Sequence, residues 1–198
     1  MKIKLITAPT EYPLSVAEIK DALSVYDATQ NTLVERALKA AVNISETFTN
    51  RRFVTQTWEY YLDSWPDSRD IEIPLPPLVS ITSIKYTLDD AVQYTMPAGD
   101  YAVDPLSEPG IVRLKRTASW PSGTLSEVNP IVIRFVCGFG AAASVPDEIK
   151  QAIIMITGDC YENREDISTA TGTIISQMEL KNNSSTRLFP FKIFQEFR

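Results

Sequence analysis

Four carboxylates crowd the end of one helical stretch, Asp159, Glu162, Glu165 and Asp166, and carboxylates so grouped can hold a cation or share acid–base work. Glu162 and Asp166 stand four residues apart, which puts both side chains on one helix face. Arg164 lies among them, and a solvated, ion-paired helix end accounts for the group better than a catalytic pair does. Trp58, Trp65 and Trp120, with eight tyrosines, are residue types that line sugar-binding grooves. At period two in strands, however, aromatics are more often sheet packing. Arg51 and Arg52 directly follow a helical run, where their charge complements the negative end of the helix dipole.

Other chemistry is excluded by composition. The 198 residues include no histidine, which removes Ser-His-Asp and Cys-His pairs, a histidine base and the HExxH zinc site. Gly138 and Gly140 run into Ala141-Ala142-Ala143 with no P-loop lysine, so no phosphate-cradling loop is written. Cys137 and Cys160 form no CxxC and read as reduced, buried small hydrophobes. No metal or cofactor is expected, and the chain is read as a non-enzyme.

A net charge of −6 argues against nonspecific nucleic-acid binding, which wants a basic stripe. The charge is uneven: residues 53–137 hold eleven acids against six bases. A solvated surface is the plain account of that acidity, and a face meeting a basic partner is the sharper one. Apolar runs such as Ile153–Ile156 fall far short of the ~20 residues that span a bilayer. The opening MKIKLITAPTEY lacks the apolar stretch of a signal peptide, so synthesis in the cytoplasm is expected.

The elements follow from periodicity. Pro13 closes an extended leader, and Ser15-Val16-Ala17-Glu18 has the form of a capping box for a helix over about 16–24. Leu33, Val34, Ala37, Leu38, Ala41, Ile44 and Phe48 make one stripe of a helix over 31–49. From Phe53 the pattern changes. Strands are expected at 53–62, 71–75, 80–87, 91–94, 101–104, 111–115 and 131–136, with the prolines at 74, 76 and 77 keeping the second at a sheet edge. Such a run suggests an antiparallel sandwich or small barrel. Gly138–Ala143 reads as a hinge of small residues, and Val145-Pro146-Asp147-Glu148 opens another helix. Its Gly158 predicts the close approach of a neighbouring backbone. Residues 167–186 are polar, a tether ahead of an aromatic end. The fold class is thus α+β: a helical core from residues 1–52 and 138–198, ending in a C-terminal arm, with an antiparallel β module inserted over 53–137.

The ordered set of landmarks resembles the head-tail connector, or adaptor, family of tailed bacteriophages and prophages, in its longer form with a β insertion. The resemblance rests on Pro13-Leu14-Ser15-Val16-Ala17-Glu18-Ile19-Lys20, on Phe48-Thr49-Asn50-Arg51-Arg52 leading to Thr55-Gln56-Thr57-Trp58, and on Leu75-Pro76-Pro77-Leu78 leading to Ile81-Thr82-Ser83-Ile84. Ser119-Trp120-Pro121, Val145-Pro146 with Ile149-Lys150-Gln151-Ala152, and Tyr161-Glu162-Asn163-Arg164-Glu165 complete it. It implies a structural virion protein without catalytic residues, forming a ring, typically twelvefold, beneath the portal vertex. Such a ring extends the DNA channel without sequence-specific binding and supports a stopper or tail-completion protein. The family's ending of a leucine pair, proline, tyrosine and a basic residue reads here Leu188-Phe189-Pro190-Phe191-Lys192, with phenylalanine in the tyrosine's place.

The candidate interface is the aromatic end: Leu188, Phe189, Phe191, Ile193, Phe194 and Phe197. Too much apolar surface is gathered there to leave in water at ~25 cal/mol per Å². It is expected to dock on a neighbouring subunit or the portal. The readings from other classes are a carbohydrate-binding β module, which needs exposed tryptophans, and a carboxylate-based hydrolase, which needs two acids in one cleft.

Overall fold

The computed structural model describes residues 2–163 and 182–194. The chain divides into two units: residues up to Thr10 with Arg51–Gly140, and Glu11–Asn50 with the residues from Ala141 onward. The fold is α+β, one unit built on sheets and the other on helices.

In the helical unit, α1 (Val16–Ala22) begins with a complete capping box: Ser15 Oγ accepts from the Glu18 amide, and Glu18 accepts from the Ser15 amide at 2.7 Å. Helix α2 (Asn31–Thr49) buries Val34, Ala37, Leu38, Ala41 and Val42 along one stripe. Ser45 and Thr49 are also buried there, each hydroxyl donating to the carbonyl four residues back, so neither is left unpaired. Asn50, left-handed at φ 56°, ends the helix. Helix α3 (Asp147–Glu162) packs against α2 through Ile149, Ala152, Ile153 and Ile156, and α4 (Asn182–Leu188) packs on α3.

The atom that faces Gly158 is not backbone but the Leu23 side chain: a Cβ there would lie 3.1 Å from Leu23 Cδ2. A methyl at the end of a flexible chain can move aside, and alanine gains roughly 0.8–1.0 kcal/mol of helix propensity over glycine. Gly158→Ala should therefore leave the thermal midpoint within a few degrees of the parent, measured by circular dichroism. Cys160, expected in the core, is only half-buried, because it sits on the α3 flank beyond the Ile149–Ile156 stripe.

The sheet unit holds eight strands among the described residues. A five-stranded antiparallel sheet runs β1 (Lys2–Thr7), β2 (Gln56–Leu62), β8 (Ile131–Cys137), β4 (Leu78–Thr87), β5 (Gln93–Thr95). A three-stranded one runs β3 (Asp70–Ile73), β7 (Gly110–Leu114), β6 (Tyr101–Asp104). Strand β3, next to the prolines, is an edge as the sequence required. Ile131, Ile133, Phe135 and Cys137 alternate inward from β8 and share one core with Ile84, Ile71, Ile73, Val112 and Leu114, so the two sheets sandwich that core.

One correction concerns the N-terminus. Residues 2–7, assigned above to the helical core, are a strand of the sheet unit, paired to β2 with Lys2 opposite Tyr61 and Lys4 opposite Glu59. The cause is long-range: β2 would otherwise be a bare edge, and the leader satisfies its backbone groups. The boundaries between units fall after residues 10, 50 and 140.

Candidate subunit interface and the surrounding surface

The C-terminal segment is stitched to the end of α2. The Ile193 amide donates to the Thr49 carbonyl at 3.0 Å, and the Asn50 side-chain amide donates to the Ile193 carbonyl at 2.9 Å. Asn50 thereby both ends the helix and holds the arm. Lys192 Nζ lies 4.7 Å from the Phe48 ring centroid and 5.5 Å from that of Phe194, within cation–π range of both. Phe189 and Phe194 meet edge to face at 6.0 Å.

The six candidate residues separate by burial. Leu188 has no exposed surface and completes the helical unit's own core, Phe191 and Ile193 are half-buried, and Phe189 and Phe194 are 57% and 68% exposed. Phe197 lies outside the described residues. Part of the presumed tether is helix: α4 takes Asn182–Leu188, with Ser184 buried, while residues 167–181 lie outside the described residues. Phe189 and Phe194 thus form an exposed aromatic pair, with Lys192 between them in sequence, on backbone fixed to the end of α2.

The other candidates fare differently. Trp65 and Trp120 stack on each other at 4.9 Å and 7°, Trp120 Nε1 donates to the Ser68 carbonyl, and Tyr86 closes on Trp65 edge to face. The rings use their faces on one another, not on an open groove. Trp58 is half-buried under the Arg52 guanidinium, 5.0 Å from its ring. Glu162 is exposed at the α3 terminus, while Glu165, Asp166 and Arg164 lie outside the described residues. Among the described residues no three of Cys, Asp and Glu come together as a metal cluster.

Arg51, directly after the C-cap of α2, grips Glu108 with both nitrogens, Nη1 to Oε1 at 2.6 Å and Nη2 to Oε2. The Arg51 side chain is 6% exposed, and this fork holds the Glu108 carboxyl below its ordinary range. A pairing across 57 residues leaves no local signal in the sequence. On the five-stranded sheet, burial alone would raise the Glu59 carboxyl, but the Tyr61 hydroxyl, Arg134 and the Lys4 charge together bring it below the usual value.

No family model matches the chain, and no curated protein matches it. Solved structures do. A chain in the neck of an empty gene transfer agent (GTA) particle, computed with C6 symmetry, superposes with a TM-score of 0.79 at 18% identity, covering 99% of this chain and 97% of that one. A chain of the native GTA virion gives 0.77 at 18% identity, and one from the native neck, computed with C12 symmetry, gives 0.76 at 20%, with the same coverage. The chain therefore shares its fold with these particle components.

Proposed function

We propose that this chain is a structural protein of a tailed-phage-like particle, a head-tail connector that forms a ring in the neck, under the portal vertex. The observation that carries the reading is the match of fold over 99% of the chain to components of GTA necks, two of them resolved with C6 or C12 symmetry. The ordered sequence landmarks point the same way independently. In this reading the ring extends the DNA channel without reading sequence, supports a stopper or tail-completion protein, and does no chemistry. The chain is made in the host cytoplasm and ends in the virion. The sheet unit is a module inserted into the helical core at residues 51–140 and completed by the N-terminal strand β1.

The exposed pair Phe189 and Phe194 is the contact of the C-terminal arm with the portal or a neighbouring copy. Replacing both with serine should leave the thermal midpoint nearly unchanged, since both are more than half exposed, while weakening ring formation or portal binding roughly tenfold or more. Sedimentation velocity with and without purified portal protein measures this. Deleting from Arg187 onward is a poorer test, because it also removes Leu188 from the core. Electron microscopy of the mixture should show a ring on the portal; a chain that binds no portal and forms no ring overturns the reading.

A further inference from the structure

The β sandwich sorts its charge between its two outer faces. In the five-stranded sheet Lys4 lies opposite Glu59, Glu59 opposite Arg134, Lys2 opposite Tyr61 and Lys85 opposite Val132. Cross-strand partners share a face. Tyr61, Glu59, Arg134 and Lys85 line one shallow groove, which puts them together on the side away from the core. That side carries four bases, Lys2, Lys4, Lys85 and Arg134, against one acid, Glu59, with Asp63 beyond the strand end pairing with Lys2 at 2.8 Å.

The three-stranded sheet does the opposite. Ile71, Ile73, Val112, Leu114 and Tyr101 turn inward, so Asp70, Glu72 and Asp104 turn out, with Arg113 as the single base within the strands and Asp100 beside the exposed Lys115 just past their ends. Arg113 is held by Asp70 in a two-bond fork at 2.7 Å, and Asp104 takes the amide and hydroxyl of Ser107. Glu72 is exposed. Both sheets cover the same core, so a basic and an acidic face lie on opposite sides of one module.

We propose that these faces meet head to tail between copies of this chain, the five-stranded face of one against the three-stranded face of the next. The inference rests on the ring reading above and assigns one of its contacts. A patch that meets a different patch on the next copy is the heterologous contact from which rings are built, and opposite charge on two sides of one module sets both its direction and its register. A nucleic acid would account for the basic face alone and leave the acidic face without a role.

The test uses the full chain, mixed as ¹⁴N and ¹⁵N copies and treated with a carbodiimide, which joins amines to carboxylates already in contact. Mixed-isotope links from Lys4 or Lys85 to Asp70 or Glu72 are expected. Lys4→Glu with Lys85→Glu should weaken self-association at low salt roughly tenfold or more, as should Glu72→Lys with Ala102→Lys, because like charges then face each other. Combining all four substitutions should restore association, which a merely structural effect would not do. Association unchanged in both pairs, or lost in both and not restored by the combination, overturns the assignment and leaves the ring reading standing. The same follows if the Lys4/Lys85 pair abolishes binding to a DNA duplex while self-association persists. A wild-type chain that neither self-associates nor joins a portal removes the ring reading itself.

Discussion

Gly138→Ala is expected to unfold the sheet unit or bring it close to unfolding. Gly138 sits at φ +122°, where a side chain is strained, and a Cβ built there would lie 2.6 Å from the Val54 carbonyl oxygen and 2.8 Å from the Thr55 nitrogen. Both are backbone atoms that cannot rotate away, and the crossing is pinned on both sides: the Thr55 amide donates to the Gly140 carbonyl, the Gly138 amide to the Pro77 carbonyl and the Phe139 amide to the Phe53 carbonyl. Strain of about 1–3 kcal/mol for the backbone conformation adds to an overpacking cost of about the same size, so a loss of roughly 2–6 kcal/mol is expected. Against a typical domain stability of about 5–15 kcal/mol that is a large share. Gly99 is the control, because nothing lies within 4 Å of its Cβ position, and Gly99→Ala should stay within about 0.5 kcal/mol of the parent. Urea unfolding of the two variants, followed by tryptophan fluorescence in the sheet unit, separates them. Equal midpoints would show that the Val54–Gly138 crossing gives way freely.

How much of this was legible in the sequence depended on the range of the interaction. Helix α2 appears over the residues its apolar stripe marks, and the Ser15–Glu18 box forms as written, because both are decided within a few residues. The prolines at 74, 76 and 77 predicted an edge strand for the same reason. Long-range partners were hidden. That β8 lies between β2 and β4, that the Lys2–Thr7 leader is a strand of that sheet, and that Arg51 forks onto Glu108 all depend on residues 45 or more positions away. The Lys2-Ile3-Lys4-Leu5 alternation was a period-two signal that could have revealed β1. The hinge expected at Gly138–Ala143 is instead a close backbone crossing at Gly138 followed by a 3-10 turn at Ala142–Ser144. Small residues serve that crossing for their size. In the aromatic arm, composition gathered the right kind of residue but could not divide Leu188, which fills its own core, from Phe189 and Phe194, which remain outside.

The Arg51–Glu108 fork should add to the acid sensitivity of the sheet unit. The Glu108 carboxyl is held below its ordinary value first by its hydrogen bonds to Arg51, then by the guanidinium charge, against the opposing effect of burial. A carboxyl whose folded value is depressed contributes stability that is fully present above the unfolded value of about 4.3 and is lost as the pH falls through the folded value. Stability should therefore decline below about pH 4.3 in the parent, and less steeply in Glu108→Gln, which has nothing to protonate there. At neutral pH the order reverses. Glu108→Gln strips the carboxylate from a guanidinium that is nearly buried, and breaking a buried pair on one side costs about 3–5 kcal/mol. Glu108 is itself 40% exposed and water can reach the site, so about 2 kcal/mol is the expected loss here. Arg51→Met with Glu108→Leu should cost less than Glu108→Gln alone, because two apolar side chains leave no buried charge behind. Urea unfolding of the parent, the single and the double variant at pH 7 and pH 4 reads both effects. Equal losses in the single and double variants would show that the fork adds nothing beyond packing.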